Sequence, residues 1–83
     1  MNDSQIKDII KKSVSAAVVY CGSQSALARN AKITQGAIGK YLRGDAKPTG
    51  LTARRLSIAV DKTLMPVDFA PHIFGEEDLD SVA

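Results

Sequence analysis

Apolar residues recur three and four positions apart along the first quarter of the chain. Ile6, Ile10, Val14, Ala17 and Cys21 form one stripe, with Ile9 and Val18 beside it. That spacing places them on one face of a helix. Asp3 or Ser4 is placed to cap its start, and Gly22 to end it in a left-handed conformation. Ser23 follows at once and suits the N-cap of a second helix, residues 24–31, with Leu27, Ala28 and Ala31 inward. Lys32-Ile33-Thr34 is a tight connector. Thr34 then caps a third helix, residues 35–43, whose core side is Ile38 and Leu42 with Tyr41 flanking. Turn residues throughout 44–50 give a polar loop. A fourth helix is expected from about Thr52 to Asp61, with Leu56, Ala59 and Val60 inward. Pro66 fits the first turn of a very short fifth helix over 66–70, which Pro71 stops. His72-Ile73-Phe74 is expected to run extended. No strand alternation and no internal repeat is visible, so the expected fold class is all-α, a compact five-helix domain over residues 1–74.

Composition narrows the class of protein. Eighty-three residues suffice for one small domain. The apolar share of 45% and charged share of 24% are those of a globular chain. One cysteine excludes an internal disulfide framework and a Cys-based zinc finger, and fits a reducing compartment. The longest apolar run, residues 16–21, is far short of the ~20 residues that span a bilayer. The opening Met-Asn-Asp-Ser is not the basic start of a secretory leader. A cytoplasmic location is therefore expected.

Charge adds a direction. The net charge is only +2, but residues 75–83 hold Glu76, Glu77, Asp78 and Asp80 with no basic residue. Residues 1–74 are left with eleven basic against five acidic side chains, +6. Most of that excess lies between Ser23 and Lys62. A basic body suits a polyanion, nucleic acid first, although a solvated basic face would look the same. The acidic end has little apolar surface to bury and is expected to be a mobile tail.

The second and third helices carry the sharper signal. Counting Gln24 as the first position, Ala28 is fifth, where two crossing helices need a small side chain. Ile33 is tenth and Ile38 fifteenth, apolar plugs between the helices. Thr34, Gln35, Gly36, Gly39 and Lys40 point the other way, a polar surface of low relief such as a recognition helix offers to the major groove. Two short helices alone are common; the spacing of plugs and small residues is what singles out residues 23–43 as a helix-turn-helix.

On those residues the chain resembles the helix-turn-helix of phage Cro and CI-type repressors, and within them the YdaS group of Cro-like prophage regulators, often labelled antitoxins. The likeness covers residues 22–74, including Pro66-Val67-Asp68-Phe69-Ala70-Pro71-His72-Ile73-Phe74. It implies a lambda-repressor-like fold and a regulator that binds double-stranded DNA, acting on an inverted-repeat operator near its own gene. It also implies residue roles. Gln35 would read a base edge, its amide matching adenine N6 and N7, with Gln24 bracing it. Gly36, Gly39 and Lys40 would lie along the groove. Ser23, Gln24 and Thr34 at helix starts, and Arg43, Lys47 and Thr49 beyond the third helix, would contact backbone phosphate. One position departs from the family pattern: Lys32 stands where glycine normally makes a left-handed turn. Gly36 and Gly39 fit close approach to DNA, or else a weakly helical segment or close packing of another helix.

A domain of this size makes few base contacts, so a homo-oligomer, a dimer or higher, is expected. Its interface is expected at Leu64, Ile73 and Phe74, drawn from an apolar set that also holds Met65, Val67 and Phe69; Phe69 is expected to close the monomer core instead. Lys11 and Lys12 read as ordinary surface charges. His72 is the only histidine and has no ligand-spaced partner, so no metal or cofactor is expected. No nucleophile–base pattern marks an enzyme. The competing function is an antitoxin or other protein-interaction module that neutralises a toxin, with DNA binding secondary.

Overall fold

The computed structural model describes residues 1–74, and the expected acidic tail at 75–83 lies outside the described residues. Five helices follow in order: α1 (Asp3–Cys21), α2 (Gln24–Ala31), α3 (Gln35–Arg43), α4 (Gly50–Ala59) and α5 (Pro66–Phe69). No strand occurs among the described residues.

The helix boundaries follow local chemistry. The first cap is Asn2, not Asp3 or Ser4. Its Oδ1 accepts from the Gln5 N–H at 2.8 Å, while Gln5 Oε1 accepts from the Asn2 N–H at 2.9 Å. This reciprocal box satisfies two backbone donors at once, which an isolated Asp3 or Ser4 cap does not. Gly22 ends α1 at φ 101°, the left-handed position that favours glycine. Helix α4 starts two residues earlier than its apolar spacing suggests, because Thr49 Oγ1 accepts from the Thr52 N–H at 3.2 Å. It ends at Ala59, because Asp61 and Lys62 both turn left-handed, at φ 53° and 60°. Tyr20 holds that turn by donating its hydroxyl to Asp61 Oδ2 at 2.5 Å, and the Lys62 N–H closes it onto Ser57 O at 2.8 Å. Pro66 opens α5, and Asp68 accepts from the Met65 N–H at 2.8 Å.

Every helix gives one face to a single core. Ile10, Val14 and Ala17 of α1 meet Leu27, Ala28 and Ala31 of α2, with Ile38, Leu56, Val60 and Phe69. Phe69 is the largest fully buried side chain and closes the monomer core, as expected. In α3 the expected order is reversed: Tyr41 is buried and Leu42 only half-buried. Cys21 is also half-buried, its Sγ donating to Ala59 O at 3.6 Å. Residues 71–74 do not run extended. The Ile73 and Phe74 N–H groups both donate to Ala70 O at 3.0 Å and curl the chain back. Phe74 lies against Gly50 and under the Arg54 guanidinium, whose carbon is 5.5 Å from the ring centroid. No helix among the described residues is long and apolar enough to cross a membrane.

Candidate nucleic-acid interface

The turn between α2 and α3 sets the site. Lys32 adopts φ 59°, ψ 43°, so the left-handed turn is kept without glycine. An L-residue there costs about 1 kcal/mol. The turn is held by Ile33 N–H donating to Ala28 O at 3.0 Å and Lys32 N–H to Arg29 O at 3.3 Å. Ala28 and Ile38 are buried and Ile33 half-buried between the helices, as their spacing required. The Lys32 side chain stays exposed.

The two helix starts facing outward are capped in the same way. Ser23 Oγ accepts from the Ala26 N–H at 3.0 Å, and Thr34 Oγ1 from the Ala37 N–H at 3.1 Å. Each hydroxyl keeps its own proton to donate to an anion. Thr49 differs: it accepts from Thr52 N–H and donates to Thr52 Oγ1 at 3.1 Å, so its hydroxyl is already engaged within the chain.

Along α3, Gln35, Gly36 and Lys40 are exposed, and Gly39 is half-covered. A Cβ at Gly36 would meet only Thr34 Oγ1, at 3.9 Å. Folding therefore gives no steric reason for glycine at this position. At Gly39 the Arg43 guanidinium lies above the helix, its Nη1 3.1 Å from where a Cβ would stand. Arg43 also donates from Nε to Asp45 at 3.0 Å, with both side chains largely exposed. Gln24 and Gln35 are both exposed with no hydrogen bond between them. Lys40 forms no ion pair among the described residues.

Lys47 is not a free cation on the surface. Its amine donates to Asp3 of α1, whose other oxygen takes Lys7 at 3.2 Å. The hydrogen bond from Lys47, then that from Lys7, holds the Asp3 carboxyl below the usual carboxylate range. Two basic side chains of α1 escaped the sequence reading. Lys11 of α1 lies over the end of α3, its Cε 3.1 Å and Nζ 3.4 Å from where a Cβ on Gly44 would stand, with Lys7 Cδ at 3.6 Å. Lys7, Lys11, Arg43 and Lys47 thus gather at the carboxyl end of α3, tempered by Asp3 and Asp45. No spacing could have shown this, because the packing of α1 on α3 creates it.

The expected interface residues divide. Leu64 is half-buried, and Ile73 remains 46% exposed. Phe74 instead packs on its own α4. His72 Nε2 lies 3.1 Å from Pro48 O. Burial holds its pKa below the ordinary histidine value, and nearby Lys47 acts in the same direction. No three metal-ligating side chains cluster among the described residues.

Two short helices crossing over small and apolar plugs, with a polar and basic outer face on the second, define a DNA-reading module of helix-turn-helix type. The Helix-turn-helix family (HTH_3) matches residues 22–65, just over half of the chain, and the chain belongs to it. The matched span runs from the C-cap of α1 through α2, α3 and α4 to the start of α5. It is therefore a sequence-specific DNA-binding domain of the kind used by transcription regulators. Neither a curated protein nor a solved structure gives a significant match.

Proposed function

We propose that the chain is a Cro-like repressor that binds an inverted-repeat operator as a symmetric dimer, with α3 in the major groove. The observation that carries this reading is Gly36. It is exposed on α3 with open space around it, beside Gln35 and Lys40. A helix glycine without a packing role costs about 1 kcal/mol relative to alanine. Close approach of the α3 backbone to a partner accounts for that cost.

In this reading Gln35 pairs with an adenine edge. Lys40 reaches a guanine edge or a phosphate. Ser23, Gln24 and Thr34 donate to phosphate, aided by free N–H groups at the starts of α2 and α3. Arg43 and Lys47 exchange Asp45 and Asp3 for phosphate on binding, and Lys11 joins them at the end of α3. Thr49 contributes through its backbone N–H more than its engaged hydroxyl. Two copies place their α3 helices ~34 Å apart, or a multiple of that. Leu64 and Ile73 supply apolar surface to the dimer. An occupied operator overlapping a promoter blocks polymerase. The likeness of residues 66–74 to the YdaS group supports a prophage regulator, with autoregulation as its first expected role.

The experiment is a fluorescence-anisotropy titration against DNA flanking the chain's own gene, with a scrambled duplex as control, over several salt concentrations. Binding at least ~10³-fold tighter than control marks a specific site. If selection from random duplexes also yields no preferred sequence, the reading fails.

A further inference from the structure

The outward face of α4 combines apolar and basic side chains in one stripe. Leu51, Arg54, Arg55 and Ile58 fall at the spacing that shares a helix face. All four are exposed, Leu51 at 61% and Ile58 at 63%. Among the described residues neither arginine forms an ion pair. The described chain leaves off on this same helix. Phe74 Cζ is 3.5 Å, and Ile73 Cγ2 4.0 Å, from where a Cβ on Gly50 would stand. The Arg54 guanidinium sits over the Phe74 ring. The next nine residues read Gly-Glu-Glu-Asp-Leu-Asp-Ser-Val-Ala, four carboxylates interleaved with Leu79 and Val82.

We propose that this α4 stripe is a docking face for the chain's own residues 76–80. Three arguments select that occupant. Reach comes first: from Leu51 to Ile58 is about 10 Å of helix, and nine extended residues starting beside Gly50 span up to ~30 Å. Charge comes second, because Glu76, Glu77, Asp78 and Asp80 complement Arg54 and Arg55. A second copy docking by this same stripe would set arginine against arginine, which like-charge repulsion opposes. Apolar matching comes third, since Leu79 sits within the acidic run as Leu51 and Ile58 flank the arginines. The consequence reaches beyond the helix-turn-helix: the docked segment withdraws two arginines from the basic field that any duplex would meet, leaving the α3 side as the basic face.

The test uses the full chain and no DNA, so its result is independent of the operator reading. Amide NMR spectra are compared between wild type and a variant carrying Glu76→Gln, Glu77→Gln, Asp78→Asn and Asp80→Asn. Amide shifts are expected at Leu51, Arg55 and Ile58, unchanged on dilution. Wild type in 1 M salt should move toward the variant spectrum, because screening then acts within ~3 Å. The reciprocal variant, Arg54→Gln with Arg55→Gln, should shift the amides of residues 76–80. These are exposed positions, so folding is preserved. Changes confined to residues 74–83 would overturn the proposal. So would changes centred on residues 35–43, which would put the acidic segment on the DNA face, or shifts that depend on protein concentration, which would assign the stripe to a second copy.

Discussion

Replacing Gly36 by alanine should pull folding and DNA binding in opposite directions. The new Cβ meets nothing closer than Thr34 Oγ1 at 3.9 Å, an ordinary van der Waals contact. The folded state therefore gains helix propensity without strain, by up to ~1 kcal/mol. Gly36 is the second residue of α3, so the gain lies at or below that figure. For a domain of this size, ~1 kcal/mol corresponds to roughly 4–8 °C in Tm. If α3 lies backbone-close in the groove, the same methyl group meets the bases. A misplaced methyl in a well-packed contact costs about 1–3 kcal/mol, which is roughly 5- to 150-fold in Kd. Thermal melts by circular dichroism give the first quantity, and anisotropy on the selected operator gives the second. A variant that melts higher and binds as tightly as wild type would refute close approach at Gly36. A variant that melts lower would refute the open geometry itself.

Four further outcomes are expected. Gln35→Ala should cost ~1–3 kcal/mol on the true site and relax preference at one base pair; unchanged affinity in a binding titration would remove α3 from the reading role. Lys11→Gln should lower the slope of log K against log salt by about 0.9, whereas the exposed Lys12→Gln should lower it less; equal slopes for both variants and wild type would place Lys11 away from phosphate. Lys32→Gly should stabilise the fold by about 1 kcal/mol in urea denaturation, because the left-handed turn at φ 59° then carries no Cβ penalty. The acid limb of stability should involve Asp3. Its folded pKa is lowered by Lys47 and then Lys7, so its contribution is present above the unfolded value of about 3.9 and is lost as pH falls through the folded value. Asp3→Asn should flatten that limb; urea midpoints that fall with pH as steeply as in wild type would rule the pair out as its source.

The helix order and the helix-turn-helix were legible in the chain because their causes are local. Ser23 and Thr34 cap α2 and α3 within three residues, and Gly22 ends α1 through its own backbone freedom. Ala28, Ile33 and Ile38 sit at spacings that only a crossing of two short helices requires. The same locality exposes the misses. The start of α1 turned on reciprocal bonding between Asn2 and Gln5, and the start of α4 on the hydroxyl of Thr49. Both are cap choices among neighbouring polar residues that periodicity does not rank.

What only the tertiary structure decided is the company each side chain keeps. Lys11 looked like a solvated surface charge until α1 packed on α3 and brought its amine over Gly44. Lys47 looked free until the same packing delivered Asp3. Phe74 gave no sign of its neighbours in the sequence, and the turn at Ala70 folds it onto Gly50 and Arg54. Tyr41 outranked Leu42 for burial, an order the sequence could not give, because a stripe on one helix carries no information about the neighbour that will cover it. Local hydrogen bonding and spacing thus determine the elements and the polar face of α3. Long-range packing determines which of the basic side chains are gathered at its end.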